Sequence, residues 1–416
     1  MPPKTERRHR QGTESRLRIL EAALAIAVER GYDGTTVALV CERAELPASS
    51  VYWQFTNKDD LLAEALDHSY RRWRLEGPTW QPTNYTGTPR DRITTRLGYS
   101  LAAVEREVEY WRLGLTLALL RGETRRVVEE WWADIDPEVA ERDPALMQVL
   151  TAVYLAFVDG MFVAHRADPD IDLGLQLDLI GDALADVYER RAAGGAVPTR
   201  RLPRRRPRRT TGAEEDSRTR LLDAAAEIAA ERGYRGTTIS RICARAGLPV
   251  SSVYWFFTDK DELLAEVVRH SWEEWYAAQP EWAPPPQGTE WPDALRTILD
   301  TSTRSLGDSP AFLRIGHMLT LESDTDVAAR HAFLAIRRDI VDRIRAWFHD
   351  SLPPALVARA PQVPLGLATA VVAFTDGYFL GEQIDGKEPP VTDFVDLVVD
   401  VIATAARTYG TGAGSA

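Results

Sequence analysis

Cysteine is nearly absent from this chain: Cys41 and Cys243 are the two in 416 residues. So few exclude a disulfide-stapled scaffold or a cysteine-rich zinc module. Both fall on apolar helical faces, where buried thiols in a reducing compartment are expected. The seven histidines are scattered, with no His-Glu-x-x-His pair, and His68 and His270 read as surface residues. There is no glycine loop of the phosphate-cradling kind and no G-x-S-x-G elbow. An enzyme, a resident metal and a cofactor are therefore not expected. Long apolar runs are missing too, so no bilayer span is read. The opening "MPPKTERRHRQGTESR" has charge but no apolar stretch behind it, unlike a secretory signal. No β-strand pattern of useful length occurs.

What is present is length, acidity and repetition. A chain of 416 residues with 44% hydrophobic and 27% charged residues is large enough for several cored domains. Its formal charge is −12. Seven arginines crowd into residues 200–209 (Arg200, Arg201, Arg204, Arg205, Arg206, Arg208, Arg209), and without them the remainder stands at −19. Local basic surface rather than total charge governs affinity for phosphate, so the acidity does not exclude nucleic acid.

"SSVYWQFTNKDDLLAEAL" at 49–66 returns as "SSVYWFFTDKDELLAEVV" at 251–268. Sliding the chain on itself by 202 positions extends the match without a gap from Ser15–Ser69 to Ser217–Ser271, with 35 of 55 positions identical. This is a duplicated module. The chain divides into a first head (13–70), a first helical domain (71–192), an arginine-rich linker (193–214), a second head (215–272) and a second helical domain (273–409). The linker has glycine, proline and charge but no apolar face, so it is expected to be poorly ordered.

Helical periodicity runs throughout, and the fold class is all-α. Ile19, Leu20, Ala23, Ile26 and Ala27 share one helix face. Gly31 is expected to stop that helix, and Thr35 to cap the second. A short third helix follows in "PASSVYWQF", with Pro47 near its first turn. Asn57 and Asp60, like Asp259 and Glu262, have the spacing of a capping box for a fourth helix.

Two short helices joined by a tight turn form a helix-turn-helix, whose second helix is narrow enough to enter a major groove. The order "G-Y-x-G-T-T-…-A-x-L-P-x-S-S-V-Y-W-x-F-T-x-K-D-x-L-L-A-E" resembles the tetracycline-repressor (TetR) family of transcription regulators over about 50 residues in each copy. Beyond them only helical content and a recurring Asp-Gly agree. The resemblance implies a double-stranded DNA operator as partner, repression as the default action, and a cytoplasmic, nucleoid-associated location. It implies phosphate contacts for Thr36 and Thr238, and for Tyr52 and Tyr254 with Lys58 and Lys260 at a helix N-terminus, where anions are favoured. Ser49, Ser50, Ser251 and Ser252 are small enough to let the helix approach base edges. Trp53, Gln54, Trp255 and Phe256 complete the candidate set, with Ala48 and Val250 placed to touch a thymine methyl. The plainer reading is that these aromatics are core, and that is the expectation for Phe55 and Phe257.

The departures from the family pattern matter as well. Gly247 keeps the usual turn glycine, whereas Glu45 replaces it, which implies either a backbone cost or a changed turn. Gln54 can bond adenine in two places and its counterpart Phe256 cannot, so the two heads are expected to read different half-sites.

Family members pair as homodimers through their last two helices. Here those would be 145–166 with 171–192 and 364–384 with 391–409, joining two heads as an intramolecular pseudo-dimer in a monomeric chain. "AFVDGMFVAHRAD" aligns with "AFTDGYFLGEQID", setting Asp159-Gly160 against Asp376-Gly377. Matching Trp131-Trp132 to Trp347-Phe348 raises the spacing from 202 to 216, so copy one lacks roughly fourteen residues where the family forms its ligand cavity. A small hydrophobic effector is therefore expected in copy two, among Phe312, Ile315, His317, Met318, Phe333, Trp347 and Phe374. The arginine linker could track DNA or be a solvated tether. A helical protein–protein adaptor with degenerate heads is the alternative function.

Overall fold

The computed structural model describes residues 4–58, 60–65, 68, 87–106, 121–194, 217–307, 311–321, 327–384, 386 and 388–411. These form helices joined by turns and loops, with no strand among the described residues. The arginine cluster at 200–209 lies outside them.

The first head holds α1 (Lys4–Gly34), α2 (Val37–Ala44) and α3 (Ala48–Tyr52), and helical backbone resumes over 60–65. The second repeats it with α9 (Ser217–Gly236), α10 (Ile239–Ala246), α11 (Ser251–Phe256) and α12 (Lys260–Ala277). Ile19, Leu20, Ala23, Ile26 and Ala27 are buried, as their spacing requires, with Val40, Val51, Phe55, Leu61 and Leu62.

Two local expectations need correction. Gly31 does not end α1, which continues to Gly34; a glycine costs a helix only about 1 kcal/mol and stops it only where the backbone turns left-handed. Thr36, not Thr35, caps α2: its Oγ1 accepts from the Leu39 amide at 3.3 Å, while Thr35 is buried. The capping boxes form as read. Asn57 Oδ1 accepts from the Asp60 amide (2.8 Å) and Asp60 Oδ2 from the Thr56 amide (2.9 Å). Asp259 and Glu262 repeat this with the Glu262 and Thr258 amides (2.9 and 2.6 Å).

The first helical domain comprises α4 (Pro89–Arg106), α5 (Arg121–Ile135), α6 (Pro137–Arg142), α7 (Pro144–Ala167) and α8 (Leu173–Ala192). The second comprises α13 (Trp291–Leu306), α14 (Ala311–Leu321), α15 (Ala328–Ser351), α16 (Pro354–Arg359), α17 (Val363–Ile384) and α18 (Val391–Thr411). The length difference read from the sequence falls just before α5, where residues 107–120 lie outside those described.

The two domains meet through α7, α8, α17 and α18. The α7–α17 contact is the most extensive, supported by α8 against α18. Phe157 and Phe374 meet across it with tilted rings, centroids 5.0 Å apart, and one hydrophobic cluster runs through both domains. By length and composition α7 and residues 363–383 of α17 could cross a membrane. They read as no span in the sequence because Asp159 and Asp376 interrupt them, and here they bury their apolar faces against each other.

In module two, α14 carries the connection from head to domain. It packs on α9 and α12 of the second head and on α15, so the head's core is continuous with Phe312, Ile315 and Phe333.

Candidate nucleic-acid interface

The turn between the second and third helices fixes how the third is presented. Gly247 adopts φ 65° and ψ 34°, and Glu45 takes the same left-handed conformation at φ 53° and ψ 43°. Arg18 holds the first turn, its guanidinium on the Ala44 carbonyl and 3.5 Å from Glu45 Oε2. Arg220 reaches the Ala246 carbonyl in the same way. The heads thus share one turn geometry, reached with strain in the first.

Past the turn, Pro47 stands at the N-cap of α3, while α11 starts after Val250. Val51 and Val253 anchor each helix inward, and Phe55 and Phe257 are buried behind them at 3% and 4% exposure. The flanking aromatics point the other way. Tyr52 and Trp53 are 64% and 89% exposed, and Tyr254 and Trp255 58% and 85%. Two pairs of large aromatics thus stand in water at matching positions of the repeat. The core reading therefore holds for the phenylalanines and fails for the tyrosines and tryptophans.

The other candidates gather on the same face. Ala48, Ser49, Val250 and Ser251 are exposed, and Ser50 and Ser252 are half-buried at the helix starts. Gln54 is half-buried and Phe256 is 41% exposed. The exposed Thr36 and Thr238 hydroxyls accept from Leu39 and Arg241 amides (3.3 and 3.4 Å), which leaves each O–H free to donate. Lys260 begins α12 with its ammonium 3.0 Å from the Tyr234 carbonyl and 3.8 Å from that ring's centroid. Lys58 is half-buried at the equivalent start.

Module two also holds a cleft of about 830 Å³, counted out to its mouth. Aromatics from α12 (Trp272, Trp275, Tyr276) meet Trp282, Phe312 and Phe333 there, with Leu299, Ile340 and Val371. Of the residues singled out in the sequence, Phe312 and Phe333 are among those lining it. The other expected residues are elsewhere: Trp347 Nε1 donates to the Ala283 carbonyl (2.8 Å), Phe374 turns to Phe157, Ile315 joins the head's core and Met318 is half-buried off the cleft. His317 stands behind the wall, its Nε2 3.2 Å from Asp376 Oδ1, while Arg337 pairs with Asp376 Oδ2. Burial would raise the Asp376 carboxyl, but Arg337 and His317 outweigh it and hold it below the usual range. The α12 aromatics were missed, although the spacing of "WEEWY" puts all three on one face.

Comparison with known proteins agrees with this geometry. Residues 19–65 and 221–267 each match the family described as bacterial regulatory proteins, tetR family. The HTH-type transcriptional repressor KstR of Mycolicibacterium smegmatis is 34% identical over 93 residues, 22% of this chain and 45% of that protein. The HTH-type transcriptional regulator BetI of Burkholderia thailandensis is 27% identical over 196 residues, 45% of this chain and 96% of the relative. KstR2 of Rhodococcus jostii is 40% identical over 63 residues, 15% of this chain and 31% of the repressor. The chain thus spans less than half the length of both of these repressors. Both heads thus match the TetR family of bacterial regulatory proteins and repeat one short-helix geometry, so the family's N-terminal module is present twice in one polypeptide.

Proposed function

We propose that this protein is a DNA-binding transcription regulator, acting as a repressor, that lays two helix-turn-helix heads on one pseudo-palindromic operator. The observation that carries the reading is the pair of exposed Tyr-Trp faces, Tyr52-Trp53 and Tyr254-Trp255, on matching short helices. Relatives whose names describe transcriptional repressors carry the same module. The paired helices α7, α8, α17 and α18 favour an intramolecular pseudo-dimer. Tethering makes engagement of the second half-site intramolecular, at an effective concentration on the order of millimolar. Thr36, Tyr52, Lys58 and their counterparts Thr238, Tyr254 and Lys260 hold the backbone. Ala48, Ser49, Ser50, Trp53 and Gln54 face one half-site, and Val250, Ser251, Ser252, Trp255 and Phe256 the other. The Gln54/Phe256 difference makes the half-sites unequal.

Release follows from the module-two cleft. Its aromatic wall suits a hydrophobic small molecule, and α14 joins that wall to α9 and α12 of the head. A ligand that fits one arrangement of α14 better than another shifts the spacing of the heads. Titrating a duplex from the upstream region at increasing salt tests the reading. Specific binding whose logarithm falls linearly with log salt is expected; binding to no duplex, or to every duplex equally, contradicts it.

A further inference from the structure

This inference rests on the paired-module reading above. Arg125 on α5 and Glu388 on the loop before α18 meet across the modules, guanidinium to carboxylate at 2.5 Å, with their side chains 7% and 0% exposed. Each charge has been taken from water at a large cost, which their mutual attraction helps to offset.

The repeat identifies what stands at the opposite end of the contact. Trp131-Trp132 match Trp347-Phe348, so Arg125 corresponds to Val341. Asp159-Gly160 match Asp376-Gly377, and Asp178 and Asp182 match Asp396 and Asp400. Between those anchors, five residues join α7 to α8 but six join α17 to α18, so Glu388 corresponds to Asp170-Ile171. Asp170 is exposed. The pseudo-equivalent place therefore offers a valine and an exposed loop, and the buried ion pair belongs to one end of the contact alone.

We propose that Arg125 and Glu388 select the partner: they make module one pair with module two and reject either module's own kind. Two copies of module one would bury two guanidinium groups with no Glu388 to meet them. Two copies of module two would bury two carboxylates against Val341. The Arg191–Asp400 bridge (2.5 Å) discriminates in one direction only. Its counterpart sets Tyr409 near Asp182, and burial, then the carboxylates of Asp178, Asp182 and Asp172, push that phenol up. Module two with itself loses Arg191, but module one with itself would recover an Arg191–Asp182 pair. Arg125 and Glu388 are what oppose both self-pairings. Without that selection, self-pairing between chains would link tethered modules into larger assemblies and lose the order of two unlike heads.

The test uses the full chain with a protease site placed within residues 195–216, cut after folding, and native mass spectrometry after prolonged incubation. In the wild type, mixed pairs should outnumber self-pairs by about a hundredfold or more, the scale of breaking a buried ion pair. The double variant R125L/E388L, its helicity checked by circular dichroism, should give mixed and self-paired species in comparable amounts. The exchange R125E/E388R should restore mixed pairs. Exclusively mixed pairs in R125L/E388L would overturn this inference while leaving the paired architecture standing. Separation of the cut wild type into single modules would remove that architecture and the inference with it.

Discussion

Gly160 and Gly377 sit at reciprocal points where α7 and α17 cross. A Cβ added to Gly160 would lie 1.8 Å from the Ala373 carbonyl oxygen, and one added to Gly377 would lie 1.9 Å from that of Ala156. The obstacles are backbone atoms, so no side-chain rotation relieves them. Absence of a side chain at these two positions lets the modules approach closely enough to share one core.

G160A and G377A should each destabilise the chain by roughly 3 kcal/mol, the upper part of the usual range for overpacking. G12A, where an added Cβ meets nothing within 4 Å inside α1, should be neutral or slightly stabilising. Urea unfolding monitored by tryptophan fluorescence distinguishes them, and equal effects at Gly160 and Gly12 would refute the close-contact account.

The turn strain in head one can be exchanged with the ease in head two. Glu45 holds φ 53° where Gly247 holds 65°, and the exposed Arg18 pair at Glu45 contributes little. E45G should raise stability by about 0.5–1 kcal/mol, and G247E should lower it by about 1 kcal/mol. Opposite signs in thermal melts of the two variants are the expected result.

Trp53 and Trp255 are so exposed that alanine at either should leave unfolding within about 0.5 kcal/mol of wild type. Operator affinity should fall about tenfold for each, equivalent to about 1.4 kcal/mol. A loss of stability without loss of binding would return these residues to the core reading.

Asp376 sets a pH dependence. Its carboxyl is held below the ordinary value in the folded chain, so its contribution is present above the unfolded value near 4 and is lost as pH falls through the folded one. D376N leaves Arg337 buried beside a neutral amide and should cost about 3–5 kcal/mol at pH 7. That gap should narrow at pH 3; urea midpoints for both proteins at the two pH values measure it.

The sequence made the repeat and the helix-turn-helix legible, because each depends on local spacing. Ile19, Ala23 and Ile26 had to face inward once helical, and Asn57 could cap only what followed it. The misses share a different origin. Gly31 reads as a stop, but only the φ it adopts decides that. Trp347 and Phe374 were assigned to the cleft by type and location, yet their rings satisfy Ala283 and Phe157, partners fixed by how distant helices cross. Trp272, Trp275 and Tyr276 were overlooked because the inward side of α12 is decided by α14 and α15. Arg125 and Glu388, 263 residues apart, leave no local signal at all.

The central claim, two reading heads on one polypeptide serving one operator, is tested most directly by the mass of the protein–DNA complex on a duplex carrying both half-sites, measured by light scattering or native mass spectrometry. One 46.5 kDa chain per duplex, with both half-sites protected from cleavage, is the expected result. Two chains per duplex, each covering one half-site with a single head, would contradict the account.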